Sequence, residues 1–556
     1  MSSPRRILVA VAWPYANGLQ HLGHFAGAYL PPDIYARFHR ISGNDVLMVS
    51  GADGHGTPIT VMADAEGIPP SQIVEEIHPR MLDQWERLGV DFDLFTTTTT
   101  DNHRLVTWEI FRGLHEAGLI TAQASEQYFD PQVQRFLPDR YVEGTCPHCG
   151  FGDARGDQCD NCGRTLDPTD LVDPRSTLSD AEPELRSTQH WFFDLPLVGD
   201  ELAEWLDDRE GWRNHVINWA RGFVGGLHGR AITRDLDWGV PLPPEFDTLG
   251  DGKRIYVWFD AVIGYLSASI EWAAGTDDPD AWRRWWNDEA ETVYFIGKDN
   301  IPFHAVFWPA QLMGYNRSDR EYGQLNLPTD VPGNQYVTFK GEKASKSRGI
   351  GTPLLDYLDT FSADQLRFAV ARHLPEFSDA DITFADLVAV ANQELANDWG
   401  NLVNRVMTMT TRNFDGAVPT PGPLDEVDDA LLADVDAALV ATAEAIERVE
   451  LRASLQEAME VARVTNAYLN AREPWKTAKV DRERTATTLW VALQAIGAGT
   501  VAFAPYTPFS VQRIRGWIGL GPVEDGGWHR PEVVAGTPLG DAEVLFPRIE
   551  VPAGQE

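Results

Sequence analysis

Apolar and polar positions change their rhythm twice along the chain. The first hundred residues alternate strand-like and helix-like segments. Ile7–Ala12 is a short continuous apolar run, as expected of a strand buried on both faces. Leu22–Ile41 reads as a helix and Asp45–Val49 as a second strand. Over Ser71–Leu88, Ile73, Ile77, Met81 and Trp85 fall at i, i+4 spacing on one helix face, behind a Pro-Pro-Ser opening. Phe92–Thr99 reads as a third strand, with Asp101 placed to cap the helix that follows. Strand–helix alternation of this kind predicts a doubly wound parallel sheet.

From about Gln123 to Gln189 that rhythm stops, and Gly, Asp, Pro and Cys dominate. The segment reads as a small inserted domain. Alternation resumes with a strand at Ile255–Phe259 and a helix from Ala261, then a strand at Thr292–Ile296 and a helix from Pro302. From Phe384 nearly everything is helical: Leu431, Val435 and Leu439 mark one helix, and Leu451, Leu455 and Met459 the next. The Pro-rich stretch Pro419–Pro423 is a stiff connector. The expected fold is α/β: a Rossmann-type parallel-sheet domain interrupted by a knuckle insertion, followed by an α-helical bundle domain.

Composition adds limits. A chain of 556 residues implies roughly three to four folding units. Hydrophobic residues at 43% exclude disorder. The net charge of −37 excludes a protein coated in nucleic acid, though not a local basic site on an acidic body. Arg5 and Arg6 before an apolar run mimic an export leader, but the Pro-Tyr-Ala-Asn-Gly that follows is no small-residue cleavage site. No apolar stretch looks close to the roughly 20 residues of a spanning helix. A soluble, cytoplasmic protein with no membrane association is expected.

Three clusters carry chemistry. Cys146, Cys149, Cys159 and Cys162 form two CxxC pairs, each followed by Gly on a tight knuckle. Four thiolates close a tetrahedral shell with no position left for water, the pattern of structural zinc. Two disulfides or buried thiols are the alternative, better suited to a secreted chain. After the first strand, His21-Leu22-Gly23-His24 opens a helix. Its two imidazoles face one side of the first turn and can converge on an anion, with Gly23 letting a flat group approach the backbone. Two surface histidines would look the same in sequence. The position at the carboxyl end of strand one, where open α/β sheets bind ligands, favours the site. Lys343-Ala344-Ser345-Lys346-Ser347-Arg348-Gly349 reverses the local sign of charge in an acidic chain. It suits a loop that neutralises polyphosphate, or simply a solvated charged loop.

HLGH and KASKS together resemble the HIGH and KMSKS signatures of class I aminoacyl-tRNA synthetases. The chain as a whole, from Pro14 into the helical part, resembles the methionyl-tRNA synthetase family. WPYANGLQHLGH, GADGHGTPI (Gly51–Ile59), the four-Cys knuckle, YVWFDAVIGY (Tyr256–Tyr265) and FIGKDNIPFH (Phe295–His304) carry that likeness jointly. Ala344 stands where the family has Met, and Trp13 where it has Leu. Isoleucyl, valyl and leucyl relatives carry a large editing insertion for which 556 residues leave no room. A cysteinyl relative would bind zinc with mixed ligands in its substrate pocket. A small nucleotidyltransferase would not need the helical tail, and a non-enzymatic zinc-ribbon tRNA binder would require HLGH and KASKS to be inert.

The resemblance implies a methionine–tRNA ligase. It activates L-methionine with ATP to methionyl-adenylate and pyrophosphate, then transfers methionyl to tRNA(Met), elongator and initiator. His21, His24, Lys343 and Lys346 would supply charge to the transition state, helped by Lys298, with Mg²⁺ on the phosphates. Gly23, Gly297, Asp299, Val337 and Ser345 would complete the ATP site. Asp53 would take the substrate ammonium, and Trp13, Tyr15, Trp258, Ala261, Tyr265, Ile301 and His304 would enclose the thioether, a polarizable group that favours aromatic surroundings. Asn401, Arg405 and Trp475 would read the anticodon by stacking and edge hydrogen bonds. The implied units are 1–118 and 229–330 for the two catalytic halves, 119–228 for the insertion, 331–388 for the signature loop and stem-contact region, and 389–556 for the anticodon-binding helices and tail. A monomer is expected, because little chain follows the bundle.

Overall fold

The computed structural model describes residues 4–551 apart from residues 158, 160, 163, 165, 251, 340–341 and 344–352. Five parallel strands form the central sheet: β1 (Arg6–Val11), β2 (Asp45–Ala52), β3 (Leu94–Thr97), β4 (Glu291–Gly297) and β5 (Gly333–Asn334), in the order β5-β4-β1-β2-β3. Val9 of the central strand lies between Met48 and Val293. The chain winds outward from β1 to β3 and then returns to the opposite side of β1 at β4. That reversal opens a crevice at the carboxyl ends of β1 and β4. Both faces of β1 are buried, as its unbroken apolar run predicts. Ile7, Val9 and Val11 face one core with Tyr29 and Trp85, and Leu8 and Ala10 face another with Ile110 and Tyr294.

The first of these cores runs without a break into the helical half, through Leu366 and Trp399 to Leu455 and Phe503. A buried ion pair reinforces the join. Arg367 donates to Asp33 at 2.5 Å and to the carbonyls of Pro505, Tyr506, Leu88 and Gly89. Arg37 donates to the same carboxylate at 2.9 Å. Burial alone would raise the Asp33 pKa, but the two guanidiniums outweigh it and hold the group below its usual range.

Several expectations need correction. Ile255–Phe259 is not a strand of the main sheet. Lys253–Ile255 pairs antiparallel with Thr233–Asp235 in a separate ribbon, and Val257–Ala261 is already helical. The β-branched and aromatic run was locally consistent with either state. Asp101 does not cap its helix: Thr100 does, its hydroxyl accepting from the His103 N–H at 3.1 Å. The segment Leu22–Ile41 is not one uniform helix, since Phe25–Tyr29 widens into a π-turn. Pro31 and Pro32 lack the N–H groups that the preceding turn needs, and the orphaned Gly27 carbonyl accepts instead from Asn334 Nδ2 at 2.6 Å. The helix Arg482–Phe503 is long and apolar enough to cross a membrane, contrary to the sequence estimate. Because 94% of its apolar window is buried in the protein, it is a core helix.

Within the insertion, Ile120–Asp130 and Glu184–Phe193 form a long antiparallel ribbon. It carries a three-stranded knuckle sheet built on Val142–Thr145.

Candidate active site

The two histidines of HLGH cap each other. His21 Nδ1 accepts from the backbone N–H of Gly23 at 3.1 Å and of His24 at 3.4 Å, while His24 Nδ1 accepts from the His21 N–H at 3.3 Å. The rings lie 3.8 Å apart. With each Nδ1 lone pair committed to the backbone, the hydrogen of a neutral ring must sit on Nε2. The sequence expectation of two converging donors is thereby narrowed to one nitrogen per ring. A Cβ on Gly23 would stand 3.0 Å from His21 Cε1 and 3.6 Å from Val337 Cβ, which brings the expected adenine contact against the signature helix. Beside the strand Val337–Phe339, the carbonyls of Tyr336 and Thr338 accept from the N–H groups of Ala380 and Ile382, turning the Val337 backbone groups away from that pairing.

Gly297 ends β4, and Asp299 follows in a short turn where Tyr336 O–H donates to its carboxylate. Lys298 turns elsewhere: its ammonium pairs with Asp379 at 2.7 Å and lies 3.7 Å over the Tyr336 ring. Of the basic signature, Lys343 contributes its backbone to a pairing with Thr338, while Ala344, Ser345 and Lys346 lie outside the described residues.

Asp53 immediately follows β2 and is only 2% exposed. Its backbone is pinned to the turn after β1 by Asp53 N–H to Pro14 at 2.7 Å and Ala16 N–H to Asp53 at 2.8 Å. Its Oδ1 accepts from the His55 N–H at 2.9 Å. Burial, and then the neighbouring Asp260 charge, push the Asp53 carboxyl up to about 7. A cationic ligand would relieve both penalties.

Beside Asp53 stands an aromatic box. Tyr15 meets Trp258 edge-on at 6.2 Å, Trp258 stacks on Phe303 at 3.9 Å, and Trp13 meets Tyr265 edge-on at 6.5 Å. Ala261 and Ile301 are buried next to them. Trp13, the family's departure from Leu, occupies a slot between two glycines. A Cβ at Gly51 would lie 2.3 Å from its ring, and one at Gly264 2.7 Å.

At the floor, the Asn300 carbonyl can only accept, so His304 Nδ1 carries the hydrogen of their 2.9 Å bond. His304 Nε2 is then an acceptor, and Tyr265 O–H donates to it at 2.6 Å. Burial lowers the His304 pKa to about 4, so the ring stays neutral. The pocket floor is therefore a closed hydroxyl–imidazole pair whose hydrogen is used within the pair, while the buried Trp13 Nε1–H has no partner among the described residues.

Sequence reasoning did not single out Phe303, His55, Asp260 or His103. The first three sit inside the quoted motifs. His103, in Asp101-Asn102-His103-Arg104, had no signal of its own.

The four cysteine sulfurs all lie within 4.8 Å of one another, with Cys149 and Cys159 at 3.6 Å and Cys146 and Cys162 at 4.0 Å. A disulfide would require about 2 Å. A tetrahedron with Zn–S bonds of about 2.3 Å has edges of about 3.8 Å, so the donor set fits zinc. Gly150 makes the first knuckle's left-handed turn at φ 73°, and Gly163 lies outside the described residues.

In the helical half, Arg405 and Trp475 come together, the guanidinium 5.8 Å from the indole centroid. Arg405 also donates to Asn466 Oδ1 at 3.0 Å. Asn401 lies one turn earlier on the same helix, Asn401–Asn413, and is exposed. Trp475 is the second residue of the short helix Pro474–Thr477, which follows the left-handed backbone of Glu473, and it is 41% exposed.

Comparison with known proteins decides the family. Residues 7–407 match the model of class I tRNA synthetases (M), and residues 418–551 that of the anticodon binding domain of methionyl tRNA ligase. The chain belongs to the methionyl branch of the class I tRNA synthetases. A methionine–tRNA ligase of Roseiflexus sp. is 49% identical over 93% of this chain and 87% of its own length. That of Thermobifida fusca is 44% identical over 99% and 97%. Among solved structures, Mycobacterium tuberculosis methionyl-tRNA synthetase bound by methionyl-adenylate matches with a TM-score of 0.79 at 26% identity, covering 98% of this chain and all of that one. Family membership accounts for the joined sheet and helical halves. The side-chain geometry above is this chain's own.

Proposed function

We propose that this chain ligates methionine to tRNA(Met), elongator and initiator, with the residues assembled at the carboxyl ends of β1, β2 and β4 doing the work. The observation that carries the reading is the pairing of a buried, otherwise uncompensated Asp53 with an aromatic box floored by the Tyr265–His304 hydroxyl–imidazole pair. Asp53 receives the ammonium, and the rings of Trp13, Tyr15, Trp258 and Phe303 enclose the side chain. A thioether suits such a box, while a charged side chain would be stranded in it.

ATP enters as its magnesium complex and lies between the HLGH turn, Val337, Gly297 and Asp299. The methionine carboxylate attacks the α-phosphorus, and pyrophosphate leaves. The Nε2–H groups of His21 and His24, with Lys343 and Lys346, offset the charge that builds on the phosphates. The 3′-terminal ribose hydroxyl of tRNA then attacks the acyl carbon and AMP departs. No covalent enzyme intermediate is needed, so catalysis rests on positioning and charge. Asn401, Arg405 and Trp475 contact the anticodon.

Zinc held by the four cysteines would tie the two knuckles together and supply structure only. Thiols in that role suit a reducing, cytoplasmic compartment, and sedimentation tests the proposed monomer. The decisive assay is amino-acid-dependent exchange of pyrophosphate into ATP, run on each amino acid in turn. Methionine alone should support exchange, and a faster rate with any other amino acid would overturn the reading.

A further inference from the structure

Behind Asp53 lies a chain of buried polar groups. His55, whose N–H holds Asp53 Oδ1, turns its ring to Asp260, with Nδ1 donating to Oδ2 at 2.8 Å. His103 Nε2 stands 3.6 Å from the same oxygen. Ser267 O–H donates to the Gly264 carbonyl at 3.0 Å, so its oxygen must accept from His103 Nδ1–H at 2.8 Å. That fixes the neutral tautomer of His103 and turns its Nε2 lone pair toward Asp260 and the Thr107 hydroxyl, 3.4 Å away. All three residues are buried, and Asp260 Oδ1 finds no partner among the described residues.

From every side, the titratable and polar groups around Asp53 are these: His55 from its own turn, Asp260 from Val257–Ala261, His103 from Asp101–Glu116, Thr98 beyond β3, and Tyr15 beyond β1. No Lys or Arg forms an ion pair with Asp53 or Asp260 among the described residues. Two buried carboxylates thus share one cluster whose only cation-forming members are imidazoles. Two uncompensated charges there would be costly, so the empty cluster must hold a proton.

We infer that His55, Asp260 and His103 form a positioning relay that orients Asp53 and leaves its proton to be displaced when the substrate ammonium arrives. Resting on the assignment of Asp53 to the ammonium, the exchange is balanced: the protonated Asp53 gives up one H⁺ and the incoming –NH₃⁺ takes its place. Burial is outweighed at Asp260, which stays below the usual carboxylate range and ionised; the hydrogen it accepts comes from His55 Nδ1, and Asp53, next to that charge, keeps the proton. The relay ends on Ser267 and Gly264, in the helix that carries Tyr265 and packs against Trp13. It therefore ties the ammonium end of the pocket to its thioether end.

Calorimetric titration of the full chain with methionine, in two buffers of different ionisation heat, measures the proton released. The wild type should release close to one proton per site well below pH 7 and almost none at pH 8.5, with the KM for methionine rising about tenfold per pH unit on the acid side. Asp260→Asn keeps an acceptor for His55 but removes the like charge, so the midpoint should fall by about one unit while the KM for ATP holds. No release by the wild type at any pH, or an unmoved midpoint in Asp260→Asn, would overturn the relay. Should that variant not fold, Asp260→Ser, which removes the same charge, carries the same test and the same overturning result. If Asp53→Asn binds methionine as well as the wild type does, the assignment of Asp53 itself fails, a separate outcome. A second zinc per chain, lost in Asp260→Asn, would make the cluster a metal site and refute the inference.

Discussion

The amino-acid pocket and the anticodon face use similar residues in opposite settings. In the pocket, Trp13, Trp258 and Tyr265 are locked among neighbouring rings and glycines, and the one polar pair at the floor is committed before any ligand arrives. On the helical half, Trp475 stands 41% exposed with Arg405 nearby and no ring packed on it among the described residues. The first region pre-orders its chemistry at the cost of burying polar groups. The second keeps a stacking surface open for a base that arrives from solvent. Aromatic residues alone do not say which task they serve; the packing around them does.

The largest test of this contrast is Asp53→Asn. Removing the buried countercharge of the ammonium should cost roughly 3–5 kcal/mol of methionine binding, a loss of about two to four orders of magnitude in kcat/KM for methionine in exchange assays. Binding of tRNA should be untouched, and a parallel loss there would blur the two regions into one.

Next comes the join between them. Arg367→Met leaves Asp33 with Arg37 as its only guanidinium among the described residues and strips the carbonyls of Leu88, Pro505 and Tyr506 of their donor, while Gly89 keeps Arg37. Unfolding should be easier by roughly 3–5 kcal/mol, and amino-acid activation and aminoacylation should fall together. The sign with pH is fixed by the depressed Asp33 pKa. Stability from this cluster is complete above the ordinary value of 3.8 and is lost as pH falls through the lower native one. Denaturant melts between pH 2 and pH 6 should therefore show the wild type and Arg367→Met converging at the acid end.

Trp475→Ala should weaken tRNA binding by roughly 1–3 kcal/mol, the worth of one base–aromatic stack, while methionine-dependent exchange and the melting temperature hold steady. Equal losses in activation and transfer with a lowered melting point would make Trp475 a core residue and erase the contrast.

The smallest effect belongs to Tyr265→Phe. It removes the hydroxyl that closes the pocket floor and leaves His304 Nε2 without its donor, so the KM for methionine should rise by the equivalent of about 1 kcal/mol with kcat nearly unchanged. A variant that discriminates methionine from norleucine as well as the wild type does would show that the hydroxyl plays no part in recognising sulfur.

How far these residues were legible in sequence varied for physical reasons. Cys146, Cys149, Cys159 and Cys162 declared themselves, because metal ligation demands short, regular spacing within a local turn. The apolar run at Ile7 did so too, since a strand buried on both faces has no polar position to hide. Ile255–Phe259 misled, because β-branched and aromatic residues suit either a strand or a buried helix, and only pairing with Thr233–Asp235 chose between them. The cap at Thr100 was missed by one residue, a choice made by where the strand's backbone turns. Asp53 and the rings around it became candidates through resemblance alone.

By itself, then, the sequence determined the local matters: the alternation that builds a parallel sheet, the knuckles, the place of His21 and His24 at the start of a helix, and the helical periodicity of the last third. Only the tertiary structure decided which carboxylate loses its solvent, which tautomer His103 and His304 adopt, and that Trp13 fits where two glycines face it. Those outcomes depend on groups brought together from distant segments, such as His55 with Asp260 or Arg367 with Asp33. Desolvation and hydrogen bonding act through such proximity, and no spacing along the chain encodes it.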